Sequence, residues 1–146
     1  MGYTDPASAE EWCAAGDERR SDATVLRQRD RELAAYYFFA FAAECFAKAH
    51  IAVRRSRPAG GHHLLYLLEE AGIRPTALRT DLRACAERRD VSVRYQAEWP
   101  DELDREDLER MVTLMTWIRI RARREMEKKR RRRNTGRLRD RGAGRN

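Results

Sequence analysis

LAAYYFFAFAAECFAKAHIAV, residues 33–53, decides how the rest of the chain must fold. Leu33 to Ala43 is an unbroken apolar run of eleven residues, followed by Glu44, Cys45, Phe46, Lys48 and His50. Bounded by charge on both sides, the run falls short of the roughly 20 apolar residues that a bilayer-spanning helix needs. Alanine-rich composition without Gly or Pro favours helix over strand. A helix that is apolar on nearly every side has to be enclosed by other helices. The stretch is therefore the central helix of an all-α bundle, from about Arg31 to Arg55.

Outward from it, Asp5-Pro6 supplies a cap and a first-turn proline for an earlier helix over about Ala7–Arg27. Trp12, Ala15, Arg19, Ala23 and Leu26 give that helix an inner stripe, and Gly16 with Ser21-Asp22 marks a weak middle where it kinks. Gln28–Asp30 is the turn into the central helix. Beyond Arg55, Ser56–Gly61 is a loop by composition. His62–Ala71 is a short helix with Leu64, Leu65, Leu67 and Leu68, closed by Gly72 as a left-handed cap. Pro75-Thr76 opens another short helix to about Arg88, burying Leu78, Leu82 and Cys85. Arg89–Pro100, with Val91, Val93, Tyr95 and Trp99, is an ordered irregular segment. Asp101 or Asp104 caps a last helix whose Leu108, Met111, Met115, Ile118 and Ala122 recur at steps of three and four and face the central helix. That helix continues into Arg119–Arg133 and dissolves in the Gly- and Arg-rich Asn134–Asn146. The chain thus divides into a helical domain, 1–124, and a basic, partly disordered extension, 125–146.

At 146 residues the chain is one domain's worth, and its charge is unevenly placed. The net charge of +7 comes from the C-terminal end, where residues 119–146 carry 14 Arg and Lys against 3 acidic side chains. The body is mildly acidic. Arg130, Arg131, Arg132 and Arg133 follow Lys128-Lys129, and such a run attracts polyanions with salt-sensitive affinity. Few aromatic residues lie near it to stack bases, so it does not read sequence. Its plain alternative is a solvated appendage, and it lacks the apolar face of a membrane-surface helix. Cys13, Cys45 and Cys85 lie far apart, without metal-site spacing, and fit reduced core thiols. A ferritin-like metal site is excluded because Glu44 is followed three residues on by Ala47 where histidine is required. No metal or cofactor is expected. The N-terminus has no secretory leader pattern, so the expected location is cytoplasmic.

Glu44-Cys45-x-x-Lys48, Gly61-His62-His63-Leu64 and Arg89-Asp90-x-x-x-Arg94-Tyr95, in that order, resemble the HEPN family of small helical domains over residues 7–124. The resemblance implies a bundle with two long antiparallel central helices, two short helices and a long last one. It also implies a homodimer and a place in a toxin–antitoxin or defence module. HEPN ribonucleases carry Arg-polar-x-x-x-His, often followed by Tyr, on each subunit, and the two copies form one RNA-cleaving site. Here Arg89, Asp90 and Tyr95 match, while Arg94 stands at the histidine position. A guanidinium cannot give up its proton near neutral pH, so it cannot act as a general base, but it can grip phosphate.

The resemblance therefore implies RNA- or nucleotide-phosphate binding without cleavage, through Arg89, Arg94 and Tyr95, aided by the basic end of the chain. Two other readings stand beside it. A metal-independent ribonuclease would use His62 or His63 with Arg57 or Arg89; the Arg57–His62 spacing copies the motif, although Pro58-Ala59-Gly60-Gly61 between them is a loop. A non-catalytic module would present its surface to a protein partner. Of the two histidines, one is expected to be buried and one exposed. Glu44 and Lys48, one turn apart with the acid first, form an intrahelical ion pair. The alternative is that Glu44 orients a guanidinium of the Arg89–Arg94 segment. His50, among apolar residues, reads as a satisfied core histidine.

Overall fold

The computed structural model describes residues 4–55, 60–88 and 96–143, with side chains described through Arg139. Among these residues the protein is all-helical. It consists of α1 (Ala9–Gln28), α2 (Glu32–Arg54), α3 (Leu64–Glu70), a 3-10 turn at Pro75–Ala77, α4 (Thr80–Arg88) and α5 (Arg105–Ala143). No described helix is long and apolar enough to cross a membrane.

α2 is enclosed in its second half, with an unbroken buried stretch from Ala42 to Ile51, whereas Leu33, Ala34, Tyr37, Phe38 and Phe41 of the apolar run are only half-buried. α1 runs antiparallel to it: Trp12 meets Lys48 and Gly16 meets Phe46. α5 runs parallel to it, pairing Arg105 with Glu32 at one end and Lys129 with the Val53 carbonyl at the other. Leu108, Met111, Met115, Ile118 and Ala122 are all buried, with Leu114 beside them. α3 contributes Leu64, Leu67 and Leu68, and Leu78, Leu82 and Cys85 close the core from the α4 side. Trp99, in the irregular stretch before α5, meets Tyr36 edge to face at 5.8 Å. All three cysteines are buried and free. Burial, then the Asp107 charge, pushes the Cys85 thiol up to about 12, so it stays protonated as an apolar filler.

The helix ends follow from local hydrogen bonding. α1 starts later than Asp5-Pro6 suggests, because Ser8 and Glu11 form a capping box. The Ser8 hydroxyl accepts from the Glu11 amide at 3.1 Å, and the Glu11 carboxylate accepts from the Ala7 amide at 2.6 Å. α3 ends in a Schellman motif, with Gly72 left-handed at φ 77° and the Ile73 amide donating to the Leu68 carbonyl at 2.9 Å. α1 closes the same way with Asp30 at φ 57°. Asp104 caps α5: its carboxylate accepts from the Asp107 amide, and the Asp107 carboxylate accepts from the Asp104 amide, each at 3.0 Å.

Gly16 does not break α1. A Cβ there would lie 2.7 Å from the Phe46 ring, and the Arg119 guanidinium lies 5.9 Å from the centre of the same ring. The glycine is what lets α1 approach α2. Arg19, expected on the inner stripe, pairs at the surface with Asp22 at 3.0 Å, and Cys13 and Gly16 take the inward positions. The last helix does not fray at Asn134; helical geometry continues to Ala143.

Gly16→Ala isolates this packing constraint. Alanine gains about 1 kcal/mol of helix propensity, whereas forcing a methyl group into a filled site costs typically 1–3 kcal/mol. We expect a net loss and a melting temperature lower by roughly 2–4 °C. Adding Phe46→Leu should make the two losses less than additive; a gain in stability from Gly16→Ala alone would refute the close-approach account.

Candidate nucleic-acid interface

The charges suggested by the α2 sequence form a buried knot. The Lys48 ammonium donates to Glu44 Oε1 at 3.0 Å, and both side chains are almost wholly enclosed. His62 Nδ1 lies 2.7 Å from the same oxygen. A carboxylate only accepts, so Nδ1 carries the hydrogen in this contact. Lys48 also lies 4.9 Å from the centre of the Trp12 ring. The expected ion pair is present, with His62 as a third member. His62 and His63 are both exposed, not one in and one out: each stands ahead of Leu64, where the α3 apolar face begins. The His62 side chain remains 63% exposed despite its bond to Glu44, and His63 stacks on exposed Tyr66 at 4.2 Å.

A second knot gathers at Asp107, which is buried at the start of α5. It accepts from Arg88 at 2.8 Å and from Arg110 at 3.1 Å. Asp107 therefore fixes the end of α4, immediately before the Arg89–Tyr95 motif. Arg89, Asp90, Arg94 and Tyr95 lie outside the described residues, as does Arg57.

The third feature is a groove of about 1030 Å³ between the C-terminal half of α5, the start of α1 and the end of α2. Arg54, Arg55, Arg123, Lys129, Arg130, Arg133 and Arg137 line it, against two carboxylates, Glu10 and Glu127. Glu127 is occupied by Arg130 at 2.7 Å and Arg131 at 3.0 Å. All four consecutive arginines are exposed; Arg130 and Arg133 line the groove, and Arg131 and Arg132 do not. The walls are tied together. Lys129 Nζ donates to the Val53 carbonyl at 2.9 Å, satisfying an open acceptor in the last turn of α2. Arg119 and Arg123 both grip Asp17 of α1, at 2.8 and 2.5 Å. The Arg54 guanidinium passes so close to Gly72 that a Cβ there would lie 2.6 Å from it.

Behind the groove, His50 is buried, and its Nδ1 has no hydrogen-bond partner among the described residues. It is a core histidine, as the sequence suggests, with that one ring nitrogen unsatisfied among the described residues. Burial, then the Arg54 charge, holds its pKa below the ordinary value, so it is neutral at pH 7. No cluster of potential metal ligands occurs among the described residues. The sequence pointed to the basic stretch from Arg119 onward, and to Arg130–Arg133 within it, but not to Arg54 or Arg55 as partners of that stretch. Within the stretch the available signal was the spacing Met126, Arg130, Arg133, Arg137, which continues the buried α5 stripe.

Two substitutions probe the ionic framework. Lys48→Met should cost about 3–5 kcal/mol because it removes the ammonium that faces the buried Glu44 carboxylate at 3.0 Å; Glu44→Gln/Lys48→Met should cost less than that single change. Denaturant titration of both proteins checks this, and a costlier double variant would contradict it. Burial favours protonation of Asp17, but hydrogen bonds and charge from Arg119 and Arg123 outweigh it and hold the carboxyl below its ordinary 3.8. The resulting stabilisation is complete above 3.8 and is lost as pH falls through the lower folded-state value. Asp17→Asn should therefore melt below the wild type at neutral pH, with the gap closing in acid. A gap of constant size down to the lowest pH would show that the ion pair contributes nothing.

No protein-family model matches the chain, and searches of curated proteins and solved structures return no significant relative.

Proposed function

We propose that the protein is a HEPN-like, homodimeric binder of RNA or nucleotide phosphates that does not cleave what it binds, acting in a toxin–antitoxin or defence module. The motif order supports the family, the homodimer and the module. The observation that carries the binding function is the α5 groove, with its seven cationic side chains against two carboxylates. Guanidinium and ammonium groups held apart on fixed helices match the repeated charge of a phosphate chain, and each phosphate neutralised releases counterions. The absence of cleavage rests on Arg94, which supplies charge where the resembling enzymes place a proton-transfer group.

One observation favours a second reading. Glu44 holds His62 Nδ1 at 2.7 Å, the carboxylate–imidazole pairing that fixes a ring for acid–base work. A metal-independent ribonuclease would use it. Fluorescence anisotropy with a short labelled RNA, together with gel analysis of the same RNA in EDTA, separates these readings. The proposal expects intact RNA and affinity falling at least about tenfold between 50 and 200 mM salt. Cleavage in EDTA that His62→Ala abolishes would replace it with the ribonuclease reading. Absence of binding at low salt would leave a protein-interaction module.

A further inference from the structure

Resting on that phosphate-binding reading, we infer that the groove takes single-stranded RNA by its phosphate backbone, with the bases turned outward and unread. The shape is the first reason. The cationic groups line a groove between three helix ends and not one helix face alone, and a flexible single strand can follow such a groove with its phosphates inward. A duplex lying on the outside of α5 would engage Arg131 and Arg132 as readily as Arg130 and Arg133.

The second reason is the lining. Its uncharged members are small or aliphatic: Ala7, Ser8, Ala9, Ala52, Val53 and Met126, with Asn134 at the far end. None of these described residues is aromatic, so they offer no ring on which a base could stack, and aromatic stacking is the usual source of base contact in single-strand binders. Small residues do let a sugar–phosphate chain come close. Binding is therefore independent of base identity.

The third reason is rigidity. The Lys129–Val53 bond and the Asp17 clamp on Arg119 and Arg123 join the walls to one another. Charge spacing is thereby set before a ligand arrives, which lowers the ordering cost of binding.

The helical register provides a matched test in the full-length protein. Arg130→Ala/Arg133→Ala removes two groove-lining cations; Arg131→Ala/Arg132→Ala removes two neighbours outside it. Each pair includes one partner of Glu127, and net charge changes equally. The probes are a labelled 12-nucleotide oligouridylate, an oligoadenylate of the same length and a 12-base-pair RNA duplex, with melting curves confirming that both variants fold. The inner pair should weaken oligouridylate binding about tenfold or more and lower the salt slope by about 1.4, at roughly 0.7 for each single-strand phosphate no longer neutralised. The outer pair should change affinity less than about threefold. Oligoadenylate should bind like oligouridylate, and unlabelled duplex should compete no better than unlabelled single strand. Equal losses from the two pairs, a strong base preference or preferential competition by duplex would overturn the groove assignment while leaving phosphate binding intact. Absence of binding by any probe at 50 mM salt would overturn both.

Discussion

A helix with almost no face suited to water imposes one constraint on this molecule: α2 must be covered over most of its surface, fully from Ala42 to Ile51 and in part at Leu33, Ala34, Tyr37, Phe38 and Phe41. α1 and α5 lie along its length, and α3 packs beside them. Close cover is possible because α2 alternates large rings with alanines. Ala35, Ala40, Ala42, Ala43, Ala47 and Ala49 are buried, and small side chains let neighbouring backbones approach. At the tightest point the neighbour also gives up its side chain, with Gly16 over Phe46. Burial of the ring supplies hydrophobic stabilisation, while the surrounding close packing makes added volume costly.

Enclosure also governs where charge can sit. Charges within the bundle occur as knots that carry their own counter-charge: Glu44 with Lys48, and Asp107 with Arg88 and Arg110. Desolvation makes such pairs poor sources of net stability. Their consequence is positional. Glu44 fixes the approach to α3 through His62, and Asp107 fixes the end of α4 while completing the α5 cap. Most of the excess positive charge sits on the C-terminal half of α5, with Arg54 and Arg55 at the end of α2 beside it, where water and salt screen it.

The sequence made the helices legible because their signals are local. The apolar run of α2, the three-and-four spacing of α5 and the left-handed glycine after α3 each depend on residues a few places apart. The start of α1 was misplaced because Asp5-Pro6 and the Ser8–Glu11 box are both valid local signals, and the box makes the hydrogen bonds. Gly16 was misread for a different reason. Its cost to the helix is local, but its benefit comes from a ring thirty residues away in sequence. The candidate site divides similarly. Glu44–Lys48 spacing exposed the pair, whereas His62 joining it depends on how the chain returns after α2. The groove needed three elements to end near one another, so composition revealed its charge but not its shape.

α5 shows how the scaffold and the cationic groove arise from one periodic pattern. Leu108, Met111, Met115, Ile118 and Ala122 descend one face of the helix against α2, and Met126, Arg130, Arg133 and Arg137 continue along that face. Met126 belongs to both, touching Cys13 at 3.4 Å on the core side and lining the groove on the other. α5 has 39 residues and α2 has 23, so α5 continues where α2 ends. A face that must be apolar while it has a helical partner can become cationic once that partner stops. The inward direction is inherited from the core register, which is why Arg130 and Arg133 line the groove while Arg131 and Arg132 do not. Helical periodicity, continued beyond the end of the partner helix, turns a packing stripe into a row of positive charges.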